Sequence, residues 1–158
     1  MMYDFSANDI FEMAVQMEKN GEKFYRTAAD SVNEQDKKDL LNRLADMEVE
    51  HEKIFKALMS ELSEIEKETT VFDPQGEAVL YLKALVDTKV FFEKEMDVSS
   101  MEKIFKAALE AEKDAIVFYL GIKDAVPQNL GQNRLDSIIK EEMSHVRLLS
   151  RELIRLKK

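Results

Sequence analysis

Cysteine is absent from this chain of 158 residues, and proline, glycine and histidine are scarce, with two, four and two copies. Without thiols the chain has no disulfides, thiolate zinc sites, iron–sulfur clusters or cysteine nucleophiles, so any metal must be bound through oxygen and nitrogen. The shortage of turn-forming residues argues against a sheet-rich fold. The 35% charged and 45% hydrophobic content is instead typical of a mostly helical protein.

An excess of positive charge and long hydrophobic runs are also lacking. The formal net charge is −9, and basic residues are interspersed with acidic ones except in a short C-terminal tail. Nucleic acid is therefore not an expected partner, because its phosphates would be repelled. We also expect no membrane partner, since the chain has neither a spanning apolar run nor a basic segment followed by one. The sequence predicts one cytoplasmic domain over residues 1–158.

Hydrophobic residues recur at alternating steps of three and four in four segments, which is typical of amphipathic helices. The first predicted helix covers about 6–30 and begins at a capping box of Ser6 and Asp9; the second ends near residue 66. The third ends at Gly121, and the fourth runs from about 135 almost to the C-terminus. The fold class is therefore all-α, a four-helix bundle.

A long crossover, which separates the second and third helices, is predicted to contain a shorter helix after Asp73-Pro74. Such a connection makes the second and third helices parallel, as in ferritin-like bundles. The crossover is too apolar for a flexible linker, so we expect it to pack on the bundle or on a second subunit of a homodimer. Its apolar residues are Val79, Leu80, Leu82, Leu85, Val86, Phe91 and Phe92.

Two parts of the chain repeat each other at an offset of 94 residues. The pattern E-K-x-x-x-x-F-Y begins at Glu18 and again at Glu112, and Glu48-x-x-His51 matches Glu142-x-x-His145, which contains the other histidine. Because residues three apart share a helical face, each Glu-x-x-His pair can present a carboxylate and an imidazole to one point. All six residues occupy core positions of the apolar pattern: Glu18, Glu48, His51, Glu112, Glu142 and His145.

This set, one Glu from each of two helices and Glu-x-x-His from each of the other two, is typical of dinuclear carboxylate sites in bundles. Four buried carboxylates without cations would cost roughly several kcal/mol each through lost hydration and repulsion. Two divalent ions would cancel their charge. Oxygen and imidazole donors suit iron, with manganese or zinc as alternatives, better than calcium or magnesium.

Several polar residues near these six have more than one interpretation. Tyr25 and Tyr119 are either core aromatics or donors of a hydrogen bond to a ligating carboxylate. The neighbouring glutamates are predicted by helical geometry to point away from the ligands. These are Glu50, Glu52, Glu110 and Glu141. One Glu-x-x-His motif alone would indicate a solvated face, but two copies that use both histidines make coincidence the weaker explanation.

The E-K-x-x-x-x-F-Y segments, E-V-E-H from Glu48, E-E-M-S-H from Glu141 and the long crossover resemble the rubrerythrin branch of the ferritin-like superfamily. The resemblance implies that the six residues bind two irons, with Glu48 and Glu142 as bridges. Family members usually carry a further glutamate where this chain has Ala115, which argues against their peroxidase activity here. The chain also lacks cysteines for a rubredoxin domain, so an electron donor would be a separate protein.

The sequence therefore predicts a di-iron oxidoreductase that acts on hydrogen peroxide or dioxygen, or that oxidises ferrous iron, in the response to oxidative stress. A manganese catalase-like activity is a close alternative, since the same ligands bind manganese. A non-enzymatic iron-binding or delivery protein is another alternative. The last is a metal-free structural bundle.

Overall fold

The computed structural model describes residues 6–64, 67, 77, 80–81, 84, 96–123 and 131–158. Four long helices lie in these ranges: α1 (Ala7–Ser31), α2 (Gln35–Glu61), α3 (Met101–Lys123) and α4 (Gln132–Leu156). α1 begins at the predicted capping box, in which Ser6 and Asp9 each accept a backbone hydrogen bond from the other. Most of the crossover, in which a shorter helix is predicted, lies outside the described residues. No helix in the described ranges is both long and apolar enough to span a bilayer.

The helices form two antiparallel hairpins, α1 with α2 and α3 with α4. Contacts between the hairpins give their relative direction. Nζ of Lys37, near the start of α2, lies 2.7 Å from Oε2 of Glu152, near the end of α4. Oε1 of Glu61, at the end of α2, lies 3.5 Å from a guanidinium nitrogen of Arg134, near the start of α4. α2 is therefore antiparallel to α4 and parallel to α3, which confirms the predicted ferritin-like topology.

Two clusters of buried side chains fill the interior of the bundle. One contains Ile10, Phe11, Ala14, Phe55, Phe118, Tyr119, Leu135 and Ile138. The other contains Tyr25, Ala28, Leu41, Leu44, Ile104, Phe105, Ala108 and Leu149. The 94-residue offset relates the two clusters, since Ile10 corresponds to Ile104 and Leu41 to Leu135. The bundle thus has approximate internal two-fold symmetry, and the six candidate ligands fall between the clusters along each helix.

The predicted end of the second helix was wrong, because α2 ends at Glu61 and not near residue 66. The next residue, Leu62, has an extended backbone with φ −67° and ψ 130°. Its side chain is nevertheless buried in the core, with 4% exposure. The spacing of apolar residues indicates which side chains are buried, but it does not show where the helix ends. Leu62 fits the apolar pattern although it lies beyond the last residue of α2.

The predicted end of the third helix at Gly121 was also wrong, since α3 continues to Lys123. Gly121 instead allows close packing of the crossover, because a Cβ atom there would collide with the ring of Tyr81. The hydroxyl of Tyr81 donates a 2.6 Å hydrogen bond to the carbonyl oxygen of Val117. At this point the crossover packs on its own bundle, one of the two arrangements expected from its apolar residues.

Candidate metal centre

The structure brings all six candidate ligands together in the middle of the bundle, and none is more than 6% exposed. They form two groups that share Glu48 and Glu142. One group adds Glu18 and His51, and the other adds Glu112 and His145; within each group the potential ligand atoms lie within 4.8 Å of one another. Every helix of the bundle contributes to this cluster.

Both imidazoles direct Nδ1 toward the carboxylates. His51 Nδ1 lies 3.1 Å from Glu142 Oε1 and 3.5 Å from Glu18 Oε2. His145 Nδ1 lies 3.1 Å from Glu142 Oε2 and 3.3 Å from Glu112 Oε1. The two rings are nearly parallel, with centroids 6.1 Å apart. Glu142 therefore places one oxygen beside each imidazole, as a carboxylate that bridges two ions would.

Several buried polar atoms of this cluster lack ordinary hydrogen-bond partners. Within the described ranges, seven such atoms have none: Glu18 Oε2, Glu48 Oε1, His51 Nδ1, both oxygens of Glu142 and both ring nitrogens of His145. An unpaired buried polar atom costs roughly 1–3 kcal/mol. Adjacent ligands placed about 2.1 Å from one ion at right angles are about 3.0 Å apart, close to the 3.1 Å nitrogen–oxygen separations. The atoms are arranged to face a common ion better than to bond each other.

Two tyrosines cross-link α1 and α3 at the cluster. Tyr25 donates its hydroxyl hydrogen bond to Glu112, and Tyr119 donates to Glu18. Burial and then the charge of the accepting glutamate raise the pKa of each phenol well above its ordinary value, so both remain donors. Both interpretations of these tyrosines therefore apply: they pack in the core, and they orient a carboxylate. In Glu18 this leaves the second oxygen free for a metal.

Protons are distributed unequally over the cluster. Burial, and then the charge of Glu142, raise the pKa of Glu112 to about 8 and that of Glu48 well above its ordinary value. Burial also opposes ionisation of Glu142, but short contacts with both imidazoles outweigh it and lower its pKa. Burial opposes charging of the imidazoles, yet neighbouring carboxylates raise the pKa of His51 to about 11 and of His145 to about 9. Without metal, protons take the place of the missing cations.

The prediction that Glu141 points away from the ligands was wrong, because its Oε2 lies 2.7 Å from Nε2 of His51. Glu141 is on the outer side of α4, but α2 brings the far edge of the His51 ring to it. The other three glutamates do pair with lysines: Glu50 with Lys53, Glu52 with Lys56 and Glu110 with Lys113. The repeated E-x-x-H motif locates candidate ligands, whereas the contact of Glu141 is found only by considering the facing helix.

Gly21 is a second feature that the spacing of residues along one helix does not reveal. It follows Glu18 by three residues, and a Cβ atom there would lie 2.7 Å from Oε2 and 3.3 Å from Cγ of Glu48. A glycine inside a helix costs about 1 kcal/mol relative to alanine. The absence of a side chain here gives the Glu48 carboxylate its position, and the 94-residue offset places Ala115 at the matching point of α3.

The variant Gly21→Ala is expected to bind divalent metal at least about tenfold more weakly, because the added methyl group displaces Glu48. Its apoprotein should unfold at the same or a higher denaturant concentration, since alanine favours the helix. Co²⁺ titration and urea denaturation measure the two effects. The matched control is Ala115→Gly, which should lose about 1 kcal/mol of stability and keep its affinity. Wild-type affinity in Gly21→Ala would contradict this role of the glycine.

Comparisons with known proteins agree with this geometry. The rubrerythrin family model matches residues 9–153, a range that includes all six candidate ligands. The fold matches the crystal structure of a protein from Thermotoga maritima described as a ferritin-like diiron-carboxylate protein, with a TM-score of 0.71 and 22% sequence identity over 97% of each chain. No curated protein matches significantly. The chain therefore belongs to the rubrerythrin family and has a ferritin-like fold with a buried carboxylate and histidine cluster suited to a dinuclear metal site.

Proposed function

We propose that this protein binds two iron ions and uses them to oxidise ferrous iron or to reduce dioxygen or hydrogen peroxide. The observation that carries the proposal is the cluster of buried nitrogen and oxygen atoms that lack hydrogen-bond partners within the described ranges. Ferrous ions held there would supply the electrons for the reaction. The four carboxylates balance the charge of two divalent cations, and the donor types suit iron.

The geometry supports a specific division of roles within the cluster. Glu18 and His51 would hold one ion, and Glu112 and His145 the other. Glu48 and Glu142 belong to both groups, which supports their assignment as bridging carboxylates. Tyr25 and Tyr119 would fix the orientation of the non-bridging glutamates through their hydrogen bonds. The closely packed aromatic and aliphatic side chains on both sides would limit water at the centre.

The choice of oxidant is connected with Ala115. This residue is partly buried against one of the apolar clusters. Because it is an alanine, α3 has no carboxylate at the position where rubrerythrins usually carry their additional glutamate. Because peroxidase activity in such proteins is associated with that carboxylate, we favour dioxygen-dependent oxidation of ferrous iron over peroxide reduction. Electrons for repeated turnover would come from a separate donor protein.

Stopped-flow absorption tests the redox claim. Anaerobic protein loaded with about two Fe²⁺ per chain is mixed with oxygenated buffer or with hydrogen peroxide. We expect the protein-bound Fe²⁺ to be oxidised faster than Fe²⁺ in buffer. With oxygen, the wild type should also react faster than the variant Glu48→Gln, which lacks a shared carboxylate. The matched control is Glu50→Gln, which removes an exposed acid and should react as the wild type does. Rates equal to those of free iron with both oxidants would exclude the oxidoreductase function.

A manganese centre is the second candidate, because both halves of the cluster offer the same donor types and these also suit manganese. Oxygen evolution from peroxide by manganese-loaded protein would favour a catalase-like activity. Zinc would fit the donors but would carry no redox chemistry. If the protein exchanges metal reversibly and shows no catalytic turnover with either iron or manganese, an iron-binding or delivery protein would be favoured instead.

We also propose that the protein acts as a homodimer in the cytoplasm. Three exposed apolar residues support a second copy as the partner: Leu80, Val117 and Leu120, with 66%, 52% and 50% exposure. They lie near the contact between Tyr81 and α3. Analytical ultracentrifugation of the wild type and of Leu120→Lys tests this: dissociation of the variant supports the interface, and a monomeric wild type excludes it.

A further inference from the structure

The two halves of the candidate centre have the same ligand types, but their histidines differ in the hydrogen-bond partner of Nε2. Nε2 of His51 lies 2.7 Å from Oε2 of Glu141. Nε2 of His145 is buried and has no hydrogen-bond partner in the described part of the chain. The residue 94 positions before Glu141 is Met47, whose thioether is at best a weak acceptor. The repeat that holds at all six ligands is therefore broken beside one histidine.

This difference matters because of the tautomer that metal binding requires. Both imidazoles point Nδ1 into the cluster, so a metal-bound neutral ring carries its proton on Nε2. In His51 that N–H can donate to Glu141, which fixes the ring and makes Nδ1 a stronger donor. In His145 the same N–H would be buried without an acceptor among the described residues, which opposes the ligating tautomer.

The side chain of Glu141 is not expected to be needed for folding. Its side chain is 49% exposed, and its contact with His51 is not part of either apolar cluster. Removing the carboxylate should therefore leave the apoprotein folded. A change in metal affinity can then be separated from a change in stability.

We propose that Glu141 is a positioning residue that makes the two metal positions unequal. The ion beside His51 binds first and more tightly, and the ion beside His145 binds second and exchanges more readily with ions in solution. The inference rests on the proposed dinuclear site and adds an order of loading to it. Glu141, which is not one of the six ligands, would therefore determine which ion is retained and which is exchanged.

Anaerobic titration of the apoprotein with Co²⁺, followed by calorimetry and by visible absorption, tests this proposal. The wild type should show two steps. In Glu141→Gln the first step should weaken about 10–100-fold, the usual effect of losing a carboxylate partner of a ligating histidine. The second step should not change. The conservative variant Glu141→Asp should recover part of the loss, and Glu50→Gln, which removes an exposed acid of the same charge, should match the wild type.

Two further variants assign the steps to the histidines. His51→Ala should remove the tight step and His145→Ala the weak one, and adding Glu141→Gln to His51→Ala should have no further effect on the remaining step. Urea denaturation of the apoproteins should give the same midpoint for Glu141→Gln and Glu50→Gln.

The outcomes separate this inference from the function on which it rests. Two bound ions with the same affinities in Glu141→Gln and Glu50→Gln would overturn the role of Glu141 and leave the dinuclear site intact. Weakening of the second step, or an additional effect in the His51→Ala background, would also overturn it. A wild-type protein that binds no Co²⁺ would overturn both.

Discussion

Replacing Glu142 with glutamine is expected to abolish metal binding and to destabilise the apoprotein by about 3 kcal/mol. Glu142 is fully buried, and its oxygens lie 3.1 Å from the Nδ1 atoms of His51 and His145. Its pKa is lowered, because these contacts outweigh burial. It therefore provides the anion that balances the two imidazoles when no metal is bound. A neutral amide would leave buried cations without their nearest counter-charge.

Replacing Glu48 with glutamine should leave the stability of the apoprotein nearly unchanged, in contrast to the replacement of Glu142. Burial and the charge of Glu142 raise the pKa of Glu48 well above its ordinary value, so at neutral pH an amide resembles the protonated acid that it replaces. We expect a change of less than about 1 kcal/mol in unfolding free energy. Metal binding should still be lost, because Glu48 belongs to both ligand groups.

Urea denaturation in the presence of a chelator and equilibrium dialysis against Fe²⁺ measure the two properties of these variants. Glu50→Gln is the matched control and should differ from the wild type in neither. Equal destabilisation of Glu48→Gln and Glu142→Gln would contradict the unequal distribution of protons over the cluster. Retention of two ions by either variant would contradict the assignment of these glutamates as shared ligands.

The stability of the apoprotein should fall by a few kcal/mol, as an order of magnitude, between about pH 5.5 and 8.5. The folded-state pKa values of Glu112, about 8, and His145, about 9, lie above the ordinary values of 4.5 and 6.5. Between those limits the folded protein holds more protons than the unfolded chain. Stability is therefore greatest at the acidic end of this range and is lost as the pH rises through the folded-state pKa values.

Metal should reverse this trend, because ions must displace the same protons before they bind. The stabilisation by Fe²⁺ or Co²⁺ should therefore increase over the pH range in which the apoprotein weakens. Differential scanning calorimetry at both ends of the range, with and without metal, measures both slopes. An apoprotein whose melting temperature rises with pH, or a metal effect independent of pH, would contradict the protonation of the empty cluster.

The repeat made much of this centre predictable from the sequence. Glu18 and Glu48 each replace an apolar residue at a core position of an amphipathic helix, and the structure buries both. Helical spacing converts such positions directly into a shared face. The long crossover likewise predicted that α2 and α3 are parallel. These features depend on periodicity within a helix or on chain connectivity, which the sequence contains explicitly.

The features that were missed depend on contacts between helices. Glu141 lies on the outer side of its own helix and becomes relevant only because α2 brings His51 to it. Gly21 and Gly121 look alike as helix-weakening residues, but one makes room for Glu48 and the other for Tyr81. Spacing along one helix cannot identify the partner on the facing helix, nor can it show that Leu62 fills the core from an extended backbone.

The proposed dinuclear centre requires that the wild type bind two metal ions through the shared carboxylates. Elemental analysis of protein purified under native, anaerobic conditions measures this, with Glu48→Gln purified in parallel. We expect about two iron ions per chain in the wild type and close to none in the variant. A wild-type protein that contains fewer than about one ion of any transition metal per chain, and that cannot be loaded with added Fe²⁺, would contradict it.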